Sequence, residues 1–273
     1  MAWAAVLPAV VWTLVAFVLP FSIVAAASLR ARGPDGAAAR WGFENYQAFW
    51  ARPALVEAAI NSVEIGLIVT VLSLALAYPM AALLAFQVPP RWQRLALVLA
   101  VLPFWTSYVV RAYAWSLVLA RTGILNRGLD GLGLPILDVA ASRAATVVGF
   151  VHFFTMLMTL TIFAALVRLP RGLTLAAADL GAGPWARFRH VIVPLSLPGV
   201  AVGAFLTFVL TLGDYVTPQV LGGGSELTLP EAIMLEIGRR ADLPMAATLA
   251  IVLMGLIGVA WALAARPMAG ARF

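Results

Sequence analysis

Two histidines, no cysteine and no lysine bound the chemistry open to this chain. His152 and His190 lie in separate stretches, no His-Glu-x-x-His pair occurs and no thiolate is available, so neither a metal centre nor a catalytic nucleophile is expected. A phosphate-binding P-loop needs a lysine to reach the β- and γ-phosphates. All 18 basic residues are arginine, so the chain carries no intact Walker A. If ATP and Mg²⁺ drive its function, a partner binds them, and no cofactor is expected on this chain.

The remaining candidates stand inside or beside long apolar runs. Arg111 interrupts one run, Glu64 precedes a second, Asp214 and Tyr215 follow a third, and Trp105 and Tyr108 lead up to Arg111. Ionisable groups are costly in a bilayer and mark functional positions by default. Carboxylates and aromatic faces suit a cationic solute, the faces through cation–π attraction. Glu64, Trp105, Tyr108, Arg111, Asp214 and Tyr215 are therefore the candidate lining of a solute path. Each keeps a plainer reading beside it. Arg111 reads equally as a gate charge, as a side chain snorkelling to headgroups, or as the partner of an acid on a neighbouring span. Trp and Tyr also form interfacial belts, and carboxylates also sit at solvated loop ends. His152, in GFVHFFTM, reads as a hydrogen-bonded packing residue, and Asn61 and Thr106 as bonds between helices.

Such residues need a scaffold that lipid accepts. The chain has 273 residues, 63% hydrophobic and 11% charged, against about 25% charged in soluble domains. Uncharged runs near the roughly 20 residues of a spanning helix fall at 4–27, 65–87, 95–120, 144–167, 191–213 and 243–265, the third interrupted only by Arg111. The expectation is an all-α membrane protein, a single domain over 1–273 with six transmembrane helices and both termini on one side. Small residues at 24–28 resemble a signal-cleavage site. However, no arginine precedes the first run, and that run exceeds the roughly 7–15 residues of a signal core, so it is read as a retained span.

Arginine numbers are nearly even on the two sides, and density decides the orientation. Arg91, Arg94, Arg168, Arg171, Arg187, Arg189, Arg266 and Arg272 fall in short segments, whereas Asp35, Glu44, Glu57, Asp130, Asp138, Glu226, Glu231, Glu236 and Asp242 gather in the longer ones. The positive-inside rule then places both termini in the cytoplasm. The net charge of +6 is spread over loops without a basic stripe, so no nucleic-acid partner is expected. Pro79, Pro103, Pro194 and Pro198 are placed to bend or interrupt helices.

Two connecting segments carry their own pattern. In 168–198, Leu173–Leu180 is helix-prone, Gly181-Ala182-Gly183 breaks it, and Pro184 suits the first turn of a second helix. Trp185, Phe188, Ile192 and Leu195 form an apolar stripe, Arg187, Arg189 and His190 point elsewhere, and Pro194 and Pro198 bracket a turn into the fifth span. This predicts a two-helix cytoplasmic loop with a small-residue knob at Ala178–Gly181, packed on its own bundle or offered to another surface. Between spans five and six, Thr228-Leu229-Pro230-Glu231 reads as a capping box. The helix it opens has Ile233, Met234 and Ile237 as an apolar face and ends near Gly238. It either dips toward a pore or lies on the membrane surface.

AAADLGAGPWARFRHVIVPLSLPG at 176–199 resembles the EAA loop of ABC-importer permease subunits. Ala176 and Ala177 match the two alanines, Gly181 the glycine, Phe188 the aromatic, and Pro194 and Pro198 the closing prolines. Leu175 stands where that pattern has its glutamate. LPFWTSYVVRAYAW (102–115), GILNRGLDGLGL (123–134) and GDYVTPQVLGG (213–223) resemble the spermidine/putrescine-type permeases, and the likeness runs from about Phe43 onward.

The resemblance implies a type I importer permease in the bacterial inner membrane. Such a chain forms half of a pore with a second homologous permease, a heterodimer being implied. It works with an ATP-binding subunit dimer and with a periplasmic or extracellular solute-binding protein. Ala176, Ala177, Ala178, Asp179, Leu180, Gly181 and Ala182 would form the coupling helix seated in a groove of the ATPase. With Leu175 in place of glutamate, docking would rest on shape and apolar contact more than on charge. The solute would be a polyamine or a similar small organic molecule. A secondary transporter and a membrane enzyme are the competing classes. The first usually shows repeated halves and ionisable groups at mid-membrane; the second lacks its parts here.

Overall fold

The computed structural model describes residues 2–31, 40–224 and 226–269; Arg32, Asp35 and Arg272 lie outside the described residues. In chain order the helices begin with α1 (Ala2–Thr13), a π-helical stretch (Leu14–Val18) and α2 (Leu19–Ser28). A two-residue antiparallel pair follows, β1 (Arg30–Ala31) with β2 (Arg40–Trp41). Then come α3 (Glu44–Ala51), α4 (Pro53–Phe86), α5 (Pro90–Val101), a 3₁₀ turn (Leu102–Trp105) and α6 (Tyr108–Leu119). The order continues with α7 (Ile124–Gly131), α8 (Arg143–Leu166), α9 (Arg171–Asp179), α10 (Pro184–Arg187) and a second π-helical stretch (Phe188–Ile192). The chain closes with α11 (Val193–Gly213), α12 (Val216–Leu221), α13 (Leu229–Gly238) and α14 (Leu243–Ala269). Among the described residues five helices are long and apolar enough to cross a membrane, and six if one bent pair counts as a span. In hydrocarbon only elements that satisfy their own backbone can span, and helices predominate accordingly.

The bent pair corrects the expected third span. Residues 95–120 are two helical arms, Pro90–Trp105 and Tyr108–Gly131, meeting at 87°. Pro103 sits in the 3₁₀ turn between them, where its missing N–H breaks the ladder. Thr106 is extended and Ser107, at φ −53° and ψ 129°, is non-helical. The second helix also starts earlier than expected, at Pro53, whose fixed φ suits a first turn.

The fifth span is corrected in the other direction. No turn separates the loop's second helix from it, and Pro184–Gly213 is one spanning element. A proline ring clashes with the carbonyl four residues before it. For Pro194 that carbonyl belongs to His190, inside the π-helical stretch; for Pro20 it belongs to Ala16, inside the other. The wider turn relieves the clash and lets the helix continue.

The chain forms two compact bodies, one within residues 1–61 and 227–256, the other within 62–226 and 257–273. In the first, Phe49, Leu55, Ala58, Leu229, Ala232, Met245 and Leu249 make the core. The Ser28 carbonyl at the end of α2, an orphan acceptor, takes bonds from the Asn45 amide (2.9 Å) and the Thr248 hydroxyl (3.3 Å). The capping box forms: the Thr228 N–H donates to Glu231 Oε2 at 2.9 Å and opens α13. Of the expected apolar face of α13, Ile233 packs against this core. Met234 and Ile237 are each 45% exposed, while Leu229, Pro230, Ala232 and Glu236 are buried. Glu236 can turn inward because Arg240, one helical turn on, donates to its Oε1 at 2.6 Å and Arg52 lies at 3.8 Å. A buried carboxylate paired in this way replaces an apolar anchor.

In the second body α8 is the central post. Its Met158, Ile162, Phe163 and Leu166 pack with Ala77, Ala81, Leu84 and Ala85 of α4. Against α11 it packs through glycine. A Cβ at Gly199 would lie 2.9 Å from the Thr161 carbonyl oxygen and 2.5 Å from the Ala165 Cβ. Small residues allow such approach where lipid supplies no hydrophobic drive between helices. Gly199→Ala should therefore lower stability by about 1–3 kcal/mol. Gly255→Ala, at a position with nothing within 4 Å, should raise it by about 0.5–1 kcal/mol. Thermal unfolding of the purified protein, followed by tryptophan fluorescence, checks both.

Candidate functional site

The loop between α8 and α11 is built as a displayed surface. Helix α9 closes with a Schellman pattern: Ala182 N–H donates to the Ala177 carbonyl (3.0 Å) and Gly181 N–H to that of Ala178 (2.9 Å). Gly181 holds φ +82°, a conformation that glycine adopts without strain. Leu175 is 62% exposed, Leu180 88% and Trp185 70%. Ala176 and Asp179 are exposed, whereas Ala177, Ala178 and Ala182 are half-buried. Behind this surface Trp185 stacks on Phe188 at 5.5 Å, and Phe188 meets Tyr78 of α4 edge-on at 5.6 Å. The Tyr78 hydroxyl bonds Ser196 of α11 at 2.9 Å. The loop is thus anchored to two long helices of its own body.

The candidate solute-path residues fall in three places. Tyr108 and Arg111 line a small cavity between α6, α8 and α12 with Trp115, Gly149, Phe153 and Thr217; its volume is about 10 Å³, room for about one water. Arg111 is buried, with its guanidinium carbon 4.2 Å from the Phe153 ring centre and 5.7 Å from that of Tyr108. Its Nη1 donates across the break to the Pro103 carbonyl (3.3 Å) and the Thr106 hydroxyl (3.4 Å). Among the described residues it forms no ion pair with an acid. Snorkelling and acid pairing, two of the readings open from sequence, therefore do not describe it.

Asp214 joins the same group through Thr217. The Tyr108 hydroxyl lies 2.6 Å from Thr217 Oγ1, which donates to Asp214 Oδ2 at 2.7 Å. Asp214 Oδ1 accepts from Val216 N–H at 2.8 Å, at the start of α12. Burial pushes the Asp214 carboxyl above its ordinary value of 3.8, and the bonds from Thr217 and Val216 pull the other way. Glu64 stands apart, gripped by Arg143 at 2.5 Å, which also reaches Glu226 at 3.3 Å. Trp105 (85% exposed) and Tyr215 (38%) do not line the cavity. His152 accepts from Trp115 Nε1 at 3.2 Å, which leaves its proton on Nε2.

Residues 77–266 match the model of the binding-protein-dependent transport system inner membrane component family. The chain belongs to this family. It is accordingly an inner-membrane permease component of a binding-protein-dependent ABC importer. Over 220 residues the permease is 35% identical to the inner membrane ABC transporter permease protein YdcU of Escherichia coli (strain K12), covering 76% of this chain and 70% of that protein. Over 253 residues it is 31% identical to the spermidine/putrescine transport system permease protein PotB of Haemophilus influenzae, covering 90% and 87%. Its fold is similar to a chain in the crystal structure of a bacterial alginate ABC transporter in complex with an alginate pentasaccharide-bound periplasmic protein. There the TM-score is 0.77 at 15% identity, over 96% of this chain and 92% of that one. A chain of the inward-facing MetNI methionine ABC transporter gives 0.58 at 17% identity, over 82% and 97%. These likenesses concern fold, and the type I importer architecture follows from them.

Three residues around the permease's candidate path escaped the sequence reading. Thr217 had a signal, since a hydroxyl three residues after an aspartate that follows a helix suits a helix start. Arg143 and Phe153 had none: the first looks like a loop-end charge, the second like core. For Asp214 a pH effect follows. With its folded-state pKa raised, the carboxyl contributes stability that is fully present below 3.8 and lost as pH rises through the folded value. Asp214→Asn should abolish that decline, so the stability difference between the two thermal-unfolding series changes as pH rises above 3.8 while the other carboxylates cancel; a pH-independent offset would overturn it.

Proposed function

We propose that this permease forms half of an ATP-driven pore with its termini in the cytoplasm, couples to a separate ATPase through 168–198, and passes a polyamine-class solute. The observation that carries the coupling role is the loop surface. A charge-poor face of Leu175, Leu180 and Trp185 is held out on a closed α9 and a glycine turn, and is backed by α4 and α11. An apolar face of this kind needs a partner to cover it. Hydrolysis belongs to the ATP-binding partner, because the sequence has no lysine for a P-loop. ATP and Mg²⁺ therefore sit on that partner, a second permease completes the pore, and a binding protein delivers the solute.

The polyamine class is supported by likeness to the spermidine/putrescine permease named above. A solute of the same family but different chemistry is the competing reading. A secondary transporter does not fit membership of a binding-protein-dependent family. Exposed aromatic faces at Trp105 and Tyr215 suit a cation. Glu64 supplies a carboxylate, which Arg143 occupies in this state.

Leu180→Asp places a charge on the most exposed apolar residue of the loop, and Gly181→Leu strains the turn and adds bulk. Both variants should insert in the membrane normally yet lose ATPase co-purification and solute uptake. Normal uptake by both would remove the docking role. For the solute, spermidine uptake by cells carrying the complete importer should be competed by putrescine and weakened by Glu64→Gln. No importer-dependent spermidine uptake would assign the importer to another solute, and uptake unchanged by Glu64→Gln would remove that carboxylate from the path.

A further inference from the structure

Arg111 was a candidate for touching solute, yet its geometry serves a different task. The break at Thr106–Ser107 interrupts the helical ladder, and polar groups freed in lipid must be satisfied by protein; the Pro103 carbonyl takes the Thr106 N–H at 3.3 Å and the Thr106 hydroxyl at 2.7 Å. Arg111, on the arm after the break, donates back to the Pro103 carbonyl and the Thr106 hydroxyl on the arm before it. Phe153 of α8 touches both arms. Its ring stacks on Phe104 at 4.8 Å and 8° from parallel, and the Arg111 guanidinium lies 4.2 Å from its centre. The arm after the break is fixed a second time, where the Tyr108 hydroxyl bonds Thr217 of α12. A 3₁₀ turn inside an otherwise α-helical span marks a hinge or a strained point.

We propose that residues 102–107 are a hinge in the permease and that Arg111 is the positioning residue that locks its angle, with Phe153 as the fixed surface against which it closes. A planar, weakly hydrated guanidinium is suited to this: it stacks on a ring with its face and donates with its edge at the same time. The neighbouring cavity, with room for about one water, does not admit a solute alongside it. Nη1 is committed to the break and the guanidinium face to Phe153. The proposal rests on this geometry and on membership of the family, and not on the identity of the solute.

The chain has no cysteine, so two can be introduced and spin-labelled without background. Leu99 on the first arm and Leu117 on the second are 60% and 71% exposed. In nanodiscs the full-length protein should show one narrow label-to-label distance. Arg111→Ala and Arg111→Lys should both broaden it, with the displaced population rising on the order of tenfold, as expected for loss of one desolvated cation–π contact. Lysine fails with alanine because it keeps the charge but loses the planar fork. Should the arginine variants not insert, Phe153→Leu should broaden the distance while Phe153→Tyr, which keeps the ring, preserves it. In cells with the complete importer, Arg111→Lys should lower maximal uptake with KM unchanged. An unbroadened distance in the variants that insert, or a rise in KM at constant maximal rate, would overturn the hinge and return Arg111 to the solute.

Discussion

Lipid offers no hydrogen bonds, and that one deficit shapes most of this permease. A helix may cross unbroken, or it may break only where protein supplies what water would have supplied. The fold uses both options. At Pro20 and Pro194 a π-helical turn absorbs the proline and the helix goes on. At Pro103 the helix gives way, and the break is paired from within by Arg111 and Thr106. The price of a charge in the bilayer is thus met where its donors are needed.

The same economy governs the other polar groups. Glu236 turns into the core of its body only with Arg240 and Arg52 beside it. Asp214 ends one helix, starts the next and receives the Thr217 hydroxyl. Glu64 and Glu226 share one arginine. In this conformation these carboxylates are engaged inside the protein.

Much of the architecture was legible in the sequence because apolar run length is a direct physical requirement of the bilayer. The capping box at Thr228 was legible because its two bonds are local in sequence. Where reading failed, the deciding partner was remote. Nothing near Arg111 announces Phe153, and nothing near Glu236 announces Arg52. Prolines misled in a consistent way. A proline marks a lost donor, but whether the helix turns, widens or snaps depends on the packing around it. Pro194 and Pro103 are alike in sequence and opposite in outcome. The loop at 168–183 was legible in its local turns, through Pro184 and Gly181, but its anchorage to Tyr78 and Ser196 was not.

The unbroken run from Pro184 to Gly213 has a mechanical meaning. A flexible elbow between loop and span would let the loop shift while the span stayed still. Here α10 is simply the exposed end of a rod some 30 residues long, gripped along its length by the glycine notch against α8. Between Trp185 and Asp214 the helix has no break, so a displacement imposed at Trp185 would be carried by the helix itself.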